Sequence, residues 1–171
     1  MRRALPAMAL ALIVVGCGAS MSFDGGVYRN GKLAFRVGPI PSSWRRLEGL
    51  GDAGMAFRDD AAQATVLVNG RCDVVGDDAP LAALTAHLLI GTTGRVVRSE
   101  DTVPFDGREA LHTVLTAKLD GVAKTFDLFV LKKDGCVYDF AYITAPEGYE
   151  SSAPAFQTFV SGFHTLGKEG T

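Results

Sequence analysis

The chain has 171 residues, 47% hydrophobic and 21% charged, with 17 Lys and Arg against 19 Asp and Glu for a formal net charge of −2, and only three cysteines. A disordered chain would be poorer in apolar residues, a disulfide scaffold richer in cysteine and a nucleic-acid binder markedly basic, so those classes are set aside and no nucleic-acid partner is expected. The length suits one domain with a core of its own, plus a short extra piece.

The extra piece comes first. Arg2 and Arg3 form a positive n-region, and Ala4 to Val15 is apolar apart from Pro6, which is too short a run to cross about 30 Å of hydrocarbon as a helix. Residues 1–16 therefore read as a signal peptide, and the arginine pair, without a longer n-region, counts as plain positive charge rather than a twin-arginine signal. The run ends in Val14-Val15-Gly16-Cys17, which resembles a bacterial lipobox. That resemblance implies thioether diacylglycerol on Cys17 and cleavage before it, with the acyl chains anchoring the protein at about 0.8 kcal/mol per buried CH₂. A plain secretory signal with Cys17 as an incidental thiol, or an uncleaved anchor, is the alternative. Gly18 stands where lipoproteins retained in the inner membrane of enteric bacteria usually carry Asp, so the expected place is the cell envelope, on the outer membrane facing the periplasm.

Removing residues 1–16 takes away Arg2 and Arg3, so 15 basic side chains face 19 acidic ones and the net charge becomes −4. From Gly18 to Gly31 the composition turns to Gly, Ser, Asp and Asn with little periodicity, which predicts a flexible tether over residues 17–31 and a single globular domain over 32–167.

Within that domain, Lys32 to Val37 alternates as a first strand and stops at Gly38-Pro39-Ile40-Pro41. Trp44 to Leu47 and Met55 to Arg58 are short strand candidates, and Ala64 to Asp73 is a longer one. Asp77-Asp78-Ala79-Pro80 offers an N-cap and an early proline to a helix whose face is Leu81, Leu84, Leu88 and Leu89, ending at Gly91. Arg95 to Val103, Glu109 to Leu119, Val122 to Lys132 and Cys136 to Ala145 then alternate as four strands. Asp106-Gly107, Asp120-Gly121 and Asp134-Gly135 separate them, and Asp-Gly favours tight hairpins because glycine accepts the positive φ they need. Both faces of this meander are apolar, which predicts cover on both. In the last segment Ser151 or Ser152 can cap, Pro154 falls in the first turn, and Phe156, Phe159, Val160 and Phe163 repeat at helical spacing as core.

The order of these elements, from the proline-rich loop before Trp44 through the Asp-Gly meander to a last helix ending in Phe-Val-Ser-Gly-Phe, resembles the PsbP-like family over about Lys32 to Phe163. That family includes the photosystem protein PsbP, the mycobacterial lipoprotein LpqN and a yeast Ran-binding protein. The resemblance implies an α+β fold, an α/β/α sandwich with an antiparallel sheet of about six to seven strands and helices on both faces. It also implies a binding or assembly module, with no shared active site to carry over.

Candidate chemistry is sparse. With Cys17 assigned to lipid, Cys72 and Cys136 are either a disulfide of an oxidising compartment or two buried thiols; no Cys-x-x-Cys suggests redox catalysis. His87, His112 and His164 have no ligand-type partners at metal-binding spacing and are expected to be structural or solvated, His164 at the end of the last helix. No nucleophile elbow, phosphate loop or dinucleotide fingerprint occurs, so no catalytic residue, metal or cofactor is assigned. Asp59-Asp60 and Asp77-Asp78 serve most simply as turn and cap residues. Trp44, Arg45 and Arg46 could form a partner-contact patch, although tryptophan after a proline loop more often plugs a core edge. The expected function is a lipid-anchored, non-catalytic envelope module that contacts the membrane through its anchor and binds a protein. The alternative, a small-ligand carrier or an enzyme, would need an apolar pocket between sheet and helix with converging polar groups.

Overall fold

A computed structural model describes residues 22–31, 33–48, 54–72 and 78–167. The signal peptide, Cys17 and Asp77 lie outside the described residues. The chain is mostly β, with eleven strands and two α-helices among the described residues. The strands are β1 (Ser22–Asp24), β2 (Val27–Asn30), β3 (Leu33–Arg36), β4 (Trp44–Leu47), β5 (Gly54–Asp59), β6 (Ala64–Cys72), β7 (Thr92–Phe105), β8 (Arg108–Leu119), β9 (Val122–Lys133), β10 (Cys136–Thr144) and β11 (His164–Thr165). The helices are α1 (Leu81–Leu88), before β7, and α2 (Tyr149–Ser161), before β11.

Seven strands form an antiparallel sheet in the order β4-β5-β6-β10-β9-β8-β7, and four form a smaller one in the order β1-β2-β3-β11. The three Asp-Gly pairs sit at the hairpin turns, and both residues of each have positive φ, from 45° at Asp106 to 80° at Gly121. That is the backbone of a type I′ turn, whose twist matches the strands it joins.

Several expectations are corrected here. The Gly- and Ser-rich stretch read as tether contains β1 and β2, because Tyr28 is completely buried in the main core and Phe23 packs against that core. His164 does not end a helix but lies in β11, paired with Arg36 of β3. The last helix starts at Tyr149, with Gly148 at its N-cap and Pro154 inside it; Ser151 and Ser152 donate their hydroxyls back to the Gly148 carbonyl instead of capping. Pro80, not an aspartate, occupies the N-cap of α1, without a side-chain bond.

The helical layers expected on both faces of the sheet are also replaced. Two helices of 8 and 13 residues are too few to cover a seven-stranded sheet, and β structure takes over much of that work. Tyr28, Leu33 and Phe35 of the small sheet, with Val37 just after β3, join Phe156, Phe159 and Val160 of α2 in one aromatic cluster with Val66, Val68, Phe129, Tyr138 and Phe140 of the large sheet. Helix α1 contributes a local patch, with Leu84 against Val130 and Val137. At the end of α2, Gly162 and Gly38 pack backbone to backbone: a Cβ on Gly162 would stand 2.3 Å from the Gly38 Cα. The Gly38 N–H donates to the Phe159 carbonyl at 2.8 Å across this contact.

Candidate functional site

The polar centre of the molecule is Asp127, in the middle of the apolar run Thr125 to Leu131 of β9 and entirely buried. A carboxylate in that position must have its oxygens satisfied by protein groups. His112, one strand away on β8, approaches Oδ1 through Nε2 at 2.8 Å. Tyr149 and Gln157, in the first and third turns of α2, donate to Oδ2 through the phenol at 2.9 Å and Nε2 at 2.8 Å. One side chain thus joins the sheet to the helix. Burial, then the Asp127 charge and the hydrogen bond given to it, push the Tyr149 phenol well above its ordinary range, so it stays a donor near neutral pH. The His112 ring lies flat on Phe129, with ring centres 4.0 Å apart and planes 7° from parallel.

His112 and Gln157 also line an open cleft of about 320 Å³ between the sheet and α2, together with Phe105, Phe129, Val160 and Phe163. At its edge Asp106, in the β7–β8 turn, accepts from Lys133 Nζ at 2.7 Å, the Thr165 N–H at 2.9 Å and the Thr165 hydroxyl at 3.1 Å, and pairs with His164 Nδ1 at 2.6 Å. Burial raises its pKa, but these bonds outweigh that and bring it from 3.8 to about 2. They tie β11 to the meander.

The remaining candidates have structural surroundings. Trp44 is buried and donates to Asp59 at 3.1 Å, so Asp59 is a core acceptor and only Arg45 and Arg46 of the proposed patch reach the surface. Cys72 and Cys136 are directly opposed on β6 and β10 and joined by a disulfide, S–S 2.01 Å. His87 is exposed on α1. Among the described residues no group of three or more His, Cys, Asp or Glu is placed to hold a metal ion, and no helix is long and apolar enough to cross a membrane.

Exposed apolar side chains concentrate elsewhere. Ile90, Val96, Val97 and Val122 are 75, 62, 57 and 56% exposed and lie at the end of the large sheet where β7 and β9 begin and β8 ends. Sequence reasoning missed both the Asp127 node and this corner. A lone aspartate inside Thr-Phe-Asp-Leu-Phe-Val was a readable sign of a buried charge needing partners.

This architecture defines a PsbP-like fold. The solved structures it is similar to include cyanobacterial PsbP (CyanoP) from Synechocystis sp. PCC 6803, with TM-score 0.58 and 14% identity over 91% of this chain and 98% of that one. The Ran-binding protein Mog1p of Saccharomyces cerevisiae aligns with TM-score 0.55 and 13% identity over 82 and 90% of the two chains. LpqN of Mycobacterium tuberculosis, involved in cell envelope biogenesis, aligns with TM-score 0.53 and 14% identity over 86 and 90%. The sequence matches no protein-family model and no curated protein.

Proposed function

We propose that this chain is a lipid-anchored, non-catalytic protein of the bacterial cell envelope, a single domain held to the membrane through Cys17 after removal of residues 1–16, that binds another protein. The observation that carries the binding role is the apolar corner of Ile90, Val96, Val97 and Val122, a surface whose exposure nothing in the fold requires. The buried carboxylates support a non-catalytic reading, since Asp59, Asp106 and Asp127 are each engaged by donors that hold elements together. Neighbours of the same fold agree with it, one being a Ran-binding protein and another involved in cell envelope biogenesis.

Photo-crosslinkers placed at Val97 and Val122 in cells test the role: one discrete adduct, lost when Val96→Asp is added, is expected. No adduct at either position would overturn it. Replacing Cys17 by Ala should release the protein from the membrane fraction, and unchanged partitioning would refute the anchor. The cleft beside His112 supports a second reading, a small-ligand carrier, because its volume and its mix of aromatic walls with His112 and Gln157 suit a small organic molecule. A compound that raises the melting temperature of the wild type but not of Gln157→Leu would favour that reading.

A further inference from the structure

The distance between the lipid attachment and the first strand limits how the domain can sit. Only Gly18 to Met21 separate Cys17 from Ser22, where β1 begins. Five residues of fully extended chain reach about 17 Å. A compact domain of this size has a radius of gyration of about 15 Å and so a width of roughly 40 Å, more than twice the reach of the tether.

The fold says which side is tied down. Phe23 of β1 packs its ring 6.1 Å from Phe57 of β5, and Arg46 of β4 lies 5.3 Å above the same ring. The attachment therefore leaves the molecule beside β4 and β5, at one edge of the large sheet. From β5 the order β6, β10, β9, β8 leads to β7, five inter-strand steps or about 24 Å away. With β7 against the lipid, Ser22 would stand farther from the surface than the tether extends.

We infer that the bilayer carrying Cys17 lies against the edge formed by β1 and β4, so that β7 and the apolar corner point away from the lipid. This rests on the lipid anchor proposed above. The edge offers a phospholipid headgroup the Arg45 guanidinium, whose side chain is 63% exposed and only loosely paired with Asp60 at 3.7 Å, while Arg46, 29% exposed, is held over Phe23 and adds positive charge behind it. The mature chain is acidic as a whole, so its other surfaces gain less from an anionic bilayer. The short tether thereby fixes a polarity, with lipid at one edge of the sheet and the partner surface at the other.

The test uses the full lipidated chain in phosphatidylcholine–phosphatidylglycerol vesicles containing a headgroup-spin-labelled lipid. A fluorophore is attached to Asp24→Cys in β1 or to Val97→Cys in β7. Quenching at least twofold stronger at position 24 than at position 97 is expected, and inserting twenty Gly and Ser residues after Gly18 should shrink the difference. Flotation and the mass of the Cys17 adduct are read on the same samples. A chain that carries the lipid and floats but is quenched equally at both positions refutes the orientation while leaving the anchor intact. A chain without the adduct refutes both. A preference unchanged by the insertion refutes the tether as its cause.

Discussion

Removing the Asp127 carboxylate should loosen α2 from the sheet. In Asp127→Ala the His112, Tyr149 and Gln157 donors lose an acceptor they now meet at 2.8, 2.9 and 2.8 Å. A donor stranded in the interior costs about 1–3 kcal/mol. All three parent residues are only partly buried, so water regains access to them and the low end of that range applies. Together they amount to about 3–4 kcal/mol, a large share of the roughly 5–15 kcal/mol that holds a domain folded. The melting temperature should fall by roughly 10 °C. Urea unfolding followed by Trp44, the single tryptophan and a buried one, measures this directly. Asp127→Asn retains one carbonyl acceptor and should fall between wild type and alanine. Tyr149→Phe should destabilise the wild type yet be nearly neutral in the Asp127→Ala background, because its partner is already gone. A loss below about 1 kcal/mol in Asp127→Ala, or additive effects of the two substitutions, would show that the node does not couple helix to sheet.

Asp106 predicts an acid transition. Its pKa falls from 3.8 to about 2 on folding, so its contribution is complete above pH 4 and disappears as pH drops through 2. The side chain is 8% exposed, and the shift corresponds to about 2 kcal/mol. Asp106→Asn, which tolerates the positive φ of this turn, should therefore be less stable than wild type by about that amount at pH 7 and nearly equal to it at pH 2; a gap constant with pH would refute the assignment. Reducing the Cys72–Cys136 disulfide, with its sequence separation of 64, should lower stability by up to about 4 kcal/mol in the chain-entropy picture, and a urea midpoint unchanged by dithiothreitol would contradict it. Gly162→Ala should destabilise by about 1–3 kcal/mol, since the new Cβ meets the Gly38 backbone and only a backbone shift can relieve it; wild-type stability in thermal melts would overturn that.

The elements legible in the sequence were those fixed by local chemistry. Positive φ at Asp106-Gly107, Asp120-Gly121 and Asp134-Gly135 requires the residue types found there, so each hairpin could be placed before any tertiary contact was known. The stripe of Phe156, Phe159, Val160 and Phe163 announced its burial for the same reason. The small sheet was hidden because its strands have two to four residues and two of them lie in a Gly- and Ser-rich stretch, while its last partner, β11, is contributed from the other end of the chain. Such short strands have no periodicity of their own and exist because Tyr28 stacks on Phe35 at 4.9 Å and Phe35 in turn packs against Tyr138 and Phe163. The Asp127 node was hidden because its four members are scattered between positions 112 and 157 and meet only once β8, β9 and α2 are assembled.

The misread tether bears most directly on function. A flexible segment through Gly31 would have let the domain turn freely above a membrane, and any surface could then have met a partner. With the anchor proposed on Cys17, only four residues lie between it and β1, where Phe23 is clamped between Phe57 and Arg46, so the proposed attachment acquires a side. The same strand order that puts β4 at one edge puts β7 at the other, with its exposed Val96 and Val97. Edge strands left open in this way invite unwanted pairing, and β7 carries the usual defences: register shifts between Thr93 and Val96 and between Val97 and Ser99, and charges at Arg95, Arg98, Glu100 and Asp101. A strand so guarded against backbone pairing is best suited to recognition through its side chains, which is why the apolar corner, rather than an added strand, is the contact expected to lose its partner when Val96 becomes Asp.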